Sequence, residues 1–156
     1  MAAQEAGRLV VIANETLAGT LLGEEIYRKT DQGRRPVFVV APALNSRLRS
    51  WYNDNAGALA AARKRLDSTL EYLRDAKVTA EGDVGDEDPV VALQDALCQY
   101  TDVSEVLVST HPPERSNWLE KGVVDRIREQ VGSLPVEHVI IDLSKDEAAR
   151  RATHAG

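Results

Sequence analysis

Three short stretches hold the side chains with which this sequence can do chemistry. Ser109, Thr110 and His111 follow the apolar run Val106-Leu107-Val108, and Arg115, Ser116 and Asn117 come next, before Gly122. Asn14, Glu15 and Thr16 follow a second apolar run, and Ala41 closes a third. Hydroxyls, a guanidinium and the free N–H groups of a helix start suit an anion, above all a phosphate. His111 with Glu114 suggests instead an acid–base pair. No nucleophile accompanies that pair, so no residue is designated catalytic. The histidines at 111, 138 and 154 show no metal-ligand spacing. The acidic run Glu81, Asp83, Asp86, Glu87, Asp88 lacks the regular loop and distant Glu of a calcium site. It reads as carboxylates favoured by the dipole of the helix that follows. No metal is expected.

The elements that must position these groups alternate. Apolar, β-branched runs predict strands over 9–13, 37–41, 78–84, 106–109 and 136–143, the third more polar and fit for a sheet edge. Helical patterns lie between them at 16–29, 54–76, 88–100 and 117–131. The second helix stacks Leu59, Leu66, Leu70 and Leu73 on one face. The third opens with Asp88 as cap and Pro89 in the first turn, where a missing N–H costs nothing. It carries Leu93, Ala96, Leu97 and Tyr100 inward, with Cys98 read as a small buried thiol. The fourth is read as starting at Asn117, with Glu120 three residues on as in a capping box. It buries Val123, Val124, Ile127 and Val131 and stops at Gly132. Strand–helix alternation of this kind predicts an α/β fold with a doubly wound, five-stranded parallel sheet. In such a sheet a ligand binds beyond the carboxyl ends of the strands, where strand order reverses. Three loops meet there: 14–16, 42–45 and 110–116.

At this point the chain resembles the universal stress protein family over about residues 8 to 143. Val11-Ile12-Ala13-Asn14-Glu15-Thr16 resembles the family's first strand and its ending. Gly85-Asp86-Glu87-Asp88-Pro89 resembles the segment that opens its third helix, and Val106 to Val131 its fourth strand, loop and helix. The resemblance implies an adenine nucleotide alpha hydrolase-like sheet of order 3-2-1-4-5, with dimers formed through the fifth strand. Many members bind ATP on a loop of Gly, two residues, Gly, nine residues, then Gly followed by Ser or Thr. Here those positions are Ser109, Pro112, Gly122 and Val123, so only Gly122 matches, and Asn14 stands for the family's Asp. Glycines let backbone approach phosphate. Pro112 and Pro113 lack N–H groups and fix φ, and Val123 has no hydroxyl. A triphosphate cradle of the usual kind is therefore not expected. Arg115, Ser116 and the first amides of the fourth helix offer another geometry for an anion.

Whole-chain properties exclude other classes. The 156 residues suit one domain, with a tail at 1–7 and a polar tail at 144–156. A net charge of −6 argues against nucleic acid, which needs a basic face. Trp51 and Tyr52, near Arg47 and Arg49, read as a lid or interface, and Trp118 as packing for the fourth helix. One cysteine allows no internal disulfide. The first residues lack the pattern of a signal peptide, and no apolar run approaches the roughly 20 residues of a membrane span. A soluble, cytoplasmic protein with no nucleic-acid or membrane partner is expected. An apolar fifth strand at an open edge needs cover, which predicts a homodimer through 136–143. Two functions follow. One is a non-catalytic stress-response or regulatory module that does not bind ATP in the usual way and acts on a protein partner. The other is a nucleotide switch taking ATP or AMP between the first- and fourth-strand loops.

Overall fold

The computed structural model describes residues 7–13, 15–17, 20–42, 55–112 and 122–144. Five strands form one parallel sheet: β1 (Arg8–Ile12), β2 (Val37–Pro42), β3 (Ala80–Gly85), β4 (Val103–Thr110) and β5 (Val136–Ile140). Their order is β3-β2-β1-β4-β5, as the resemblance implied, with β3 at one edge. Among the described residues the connections contain α1 (Leu21–Lys29), α2 (Asn55–Asp75), α3 (Pro89–Gln99) and α4 (Val123–Val131).

The alternation of side chains along a strand divides the interior into two cores. Leu9, Val11 and Ala13 of the first strand segment, with Val37, Val39 and Leu107, meet Leu22 and Ile26 of α1 and Leu66, Leu70 and Leu73 of α2. Val10 and Ile12, with Phe38, Val40, Val106 and Val108, meet Val90, Leu93 and Ala96 of α3 and Val123, Val124 and Ile127 of α4. β1 and β2 are buried on both faces, which is why they read as unbroken apolar runs. β5 is only half-buried along its length, and Ile140 is 52% exposed.

Several expected boundaries are corrected. The helix expected over 16–29 is divided. Glu15–Leu17 form a 3-10 turn and α1 begins at Leu21. The hydroxyl of Thr69 on α2 donates to the Leu17 carbonyl at 2.9 Å, and helical bonding starts with Glu24 N–H on Thr20. On α2 the inward face is Ala62, Leu66, Thr69 and Leu73, while Leu59 is 44% exposed. The helix expected from Asn117 is described from Val123. Gly122 has φ 66° and ψ 31°, a left-handed conformation that no right-handed helix can run through. Cys98 is exposed rather than buried; it lies off the α3 face that carries Val90, Leu93 and Ala96 inward. β3 is described over 80–85, β4 over 103–110 and β5 over 136–140, in place of 78–84, 106–109 and 136–143. The α3 start holds as expected: Asp88 accepts from Val90 N–H at 2.9 Å with Pro89 in the first turn. The acidic run before it is occupied structurally. Asp86 accepts from Asp88 N–H, and Asp83 pairs with Arg63.

The amino ends of the strands are tied by charge. Arg35 donates to Glu105 at 3.0 Å, to Ser104 at 2.9 Å and to the Gly7 carbonyl at 3.0 Å. Lys29 reaches Glu105 at 2.6 Å and also contacts Glu137. One α1 lysine thus links β4 to the edge strand β5. Arg8 pairs with Asp102 at 3.0 Å and lies over the Tyr100 ring. Burial pushes the Glu105 carboxyl up, but hydrogen bonds from Lys29 and Arg35 outweigh it and hold it below 4.5. Burial pulls Lys29 down, and its two glutamates outweigh that and raise it above 10.5.

A carboxylate lowered in the folded state contributes stability above its unfolded value, and that stability is lost as pH falls through the folded value. A raised lysine contributes below its unfolded value and loses it as pH rises through the folded one. Glu105→Gln should therefore cost stability at pH 6 to 8. Denaturant titrations should show its difference from the parent protein shrinking as pH falls below about 4.5. A difference that stays constant down to pH 3 would mean that the network contributes nothing through charge.

Candidate functional site

Strand order reverses between β1 and β4. The chain leaves β1 toward β2 on one side, while β4 and β5 lie on the other. The carboxyl ends of β1 and β4 therefore border the crevice where an α/β sheet takes its ligand. Ladders carry both ends to the same level, with Ile12 paired to Val40 and to Val108. Ala13 N–H extends the sheet by donating to the Val40 carbonyl at 3.1 Å, and Ile141 N–H does the same to Thr110 at 2.8 Å.

Two of the expected site residues meet. Ser109, at the end of β4, donates its hydroxyl to Thr16 Oγ1 on the 3-10 turn at 2.9 Å. Both residues are 2% exposed. This bond spans the switch point. Thr69 holds the next residue of the same turn through the Leu17 carbonyl. The turn is thus fixed from α2 on one side and from β4 on the other. Ala41 and Pro42, at the end of β2, are buried. Pro112 is buried as well, and His111 is half-buried. A proline at 112 brings no N–H to the crevice.

Thr110 has a partner that sequence reading missed. Its hydroxyl lies 2.7 Å from Nε2 of His138 on β5. Burial first, and the Arg128 charge on α4 second, hold this histidine below 6.5, so it is neutral at physiological pH. A signal for the pair was present: 138 is a polar position in an apolar strand expected beside β4, which itself ends in polar residues. Neither hydroxyl forms an activated nucleophile open to a substrate. Ser109 is bonded to another hydroxyl, and Thr110 is 2% exposed.

Gly122 sits at the start of α4 with φ 66°, and nothing lies within 4 Å of where a side chain would begin. Among the described residues no side chain caps this helix start. Asn14, Glu114, Arg115, Ser116 and Asn117 lie outside the described residues, as do the side chain of Glu15, the segment with Arg47, Arg49, Trp51 and Tyr52, and Trp118. Among the described residues no group of three His, Cys, Asp or Glu is placed to hold a metal. None of the described helices is long and apolar enough to cross a membrane.

Solved structures share this fold. The chain aligns with the structure of a universal stress protein from Archaeoglobus fulgidus at 15% identity, over 85% of this chain and 92% of that one, with a TM-score of 0.54. It aligns with the crystal structure of a protein from the universal stress protein family from Burkholderia pseudomallei at 12% identity, over 87% of this chain and 97% of that one, with a TM-score of 0.59. Identities this low establish a shared fold. No family model and no curated protein matches the sequence.

The Ser109–Thr16 bond yields a measurable coupling. Ser109→Ala leaves the buried Thr16 hydroxyl without that partner and should cost about 1–3 kcal/mol. Thr16→Val should cost a similar amount alone, and the double variant clearly less than the sum. Strict additivity in denaturant unfolding would show that the two hydroxyls do not depend on each other.

Proposed function

We propose that this chain, which has the universal stress protein fold, is a non-catalytic stress-response or regulatory module that does not hold ATP in the family's usual manner. The observation that carries the reading is the hydroxyl bond across the switch point. The hydroxyls of Ser109 and Thr16 satisfy each other across it at 2.9 Å. Ser109 stands where ATP-binding relatives place the first glycine of their loop, and Pro112 stands where they place the second. A phosphate there would meet a side chain instead of open backbone, and one donor fewer. The module then acts through a protein partner rather than through turnover of a substrate.

The second reading is a switch that takes ATP or AMP. One observation favours it: among the described residues no side chain caps the start of α4 behind a left-handed Gly122, and a helix start attracts anions. Its candidate contacts are Asn14, Thr16, Ala41, Ser109, Arg115 and Ser116.

Calorimetric titration with Mg-ATP, and with AMP in parallel, separates the two. The purified protein is first shown by chromatography to carry no nucleotide. The first reading expects no heat of binding up to millimolar ligand. Micromolar binding that Arg115→Ala weakens would replace it with the second.

The assembly is part of the same proposal. β5 ends the sheet and is half-buried with Ile140 exposed, and an apolar strand edge of this kind is a template for pairing. We expect a homodimer formed through β5. Light scattering at tens of micromolar should return twice the mass of the chain, and Ile140→Pro, which removes an N–H on the open side of β5, should lower it toward one. A monomer across that concentration range would refute the dimer.

A further inference from the structure

His138 stands at the middle of β5. Strand alternation puts it on the same face as Val136, which packs with Ile127 of α4. Beside it on β4 is Thr110, whose side chain is buried at 2% exposure. Among the described residues the Thr110 hydroxyl has one hydrogen-bond partner, Nε2 of His138 at 2.7 Å. A buried hydroxyl proton needs an acceptor. The hydroxyl therefore donates, Nε2 accepts, and the ring carries its own proton on Nδ1. A second proton would occupy the nitrogen that accepts. Nε2 would then present an N–H to the hydroxyl, and the hydroxyl proton would face no acceptor among the described residues.

We propose that His138 is a proton-operated fastening of β5 to β4, closed while the ring is neutral and loosened when acid protonates Nε2. The charges around the ring do not compensate a cation there. On α4, Arg128 is close enough to oppose it, and Asp125 is 3.9 Å from that guanidinium. Arg126 is turned to Asp88 at the start of α3, and Glu129 is exposed. β4 brings Val108 and Thr110 to this face. Glu137 of β5 itself points to the other face, where Lys29 holds it. Among the described residues no carboxylate pairs with His138. Burial and the Arg128 charge both hold the ring below 6.5. A group lowered in the folded state contributes stability above its unfolded value, and that stability is lost as pH falls through the folded value. The fastening therefore weakens from about pH 6.5 downward, before Glu105, held below 4.5, takes up its proton. The strand it fastens is an edge of the sheet, laddered within the chain to β4 alone. The device works within one chain, whether or not β5 also pairs with a copy.

Two readouts on the full chain test this. Nitrogen NMR of the His138 ring, followed from about pH 8 to about pH 5, reports tautomer and titration directly. A neutral ring with its proton on Nδ1, titrating below 6.5, is expected. Amide hydrogen exchange, expressed as protection factors, reports the strand. The protein is kept dilute enough for light scattering to return the same mass at both ends of the range. From pH 7.5 to pH 5.0, protection in 136–141 should fall several-fold relative to 9–12 of β1, with a ceiling of about thirtyfold for 1.5 pH units below 6.5. His138→Gln supplies an oxygen that accepts from Thr110 and does not titrate, so it should abolish the fall while His111 and His154 are unchanged. Thr110→Val removes the hydroxyl and should shrink the fall. A ring that carries its proton on Nε2 near pH 8, or that titrates at or above 6.5, would overturn the proposal, and both are read on the parent protein. So would protection in β5 that falls no more than that in β1, or a His138→Gln variant that loses protection as the parent does.

Discussion

The whole architecture depends on β1 being buried on both faces. A central parallel strand has no polar face, so each successive residue must find an apolar partner on alternating sides. Leu9 and Val11 find theirs under α1 and α2, Val10 and Ile12 under α3 and α4. Once β1 is placed, β2 and β4 are fixed at its two sides by backbone ladders. The reversal of strand order, and with it the crevice, is a consequence of that placement. Thr16 and Ser109 meet because each follows a strand whose register is already set.

The same constraint explains what the sequence made readable. Buried strands carry unbroken apolar runs, and α3 announces itself through Asp88 and Pro89, so existence and order of these elements could be read from residue types. Boundaries were harder where a tertiary bond decides them. The division of the first helix depends on Thr69, more than fifty residues away in the chain, taking the Leu17 carbonyl. The start of α4 depends on the handedness of Gly122, which a helical hydrophobic pattern does not reveal. Leu59 keeps the periodicity of its helix and is still exposed, because periodicity assigns a face and not what covers it.

The candidate site divides along the same line. Thr16, Ser109 and Thr110 were visible as polar residues at strand ends. That Ser109 bonds Thr16, and that Thr110 turns to His138, follows from side-chain alternation combined with strand adjacency. These two hydroxyls leave the end of β4 on opposite faces of the sheet. One secures the middle of the fold and the other secures its edge.

The Lys29 contact with Glu137 has a consequence for the order in which the molecule opens. Within one chain β5 has a neighbour on one side only, and its side chains are half-buried. Besides its ladder to β4, its amino half is tied by the Lys29–Glu137 ion pair and its middle by the Thr110–His138 bond. Ion pairs and single hydrogen bonds hold far less free energy than a two-sided core. Within a single chain, β5 is therefore the strand of the sheet expected to open at the lowest cost. The fold has a built-in seam, and it runs between its fourth and fifth strands.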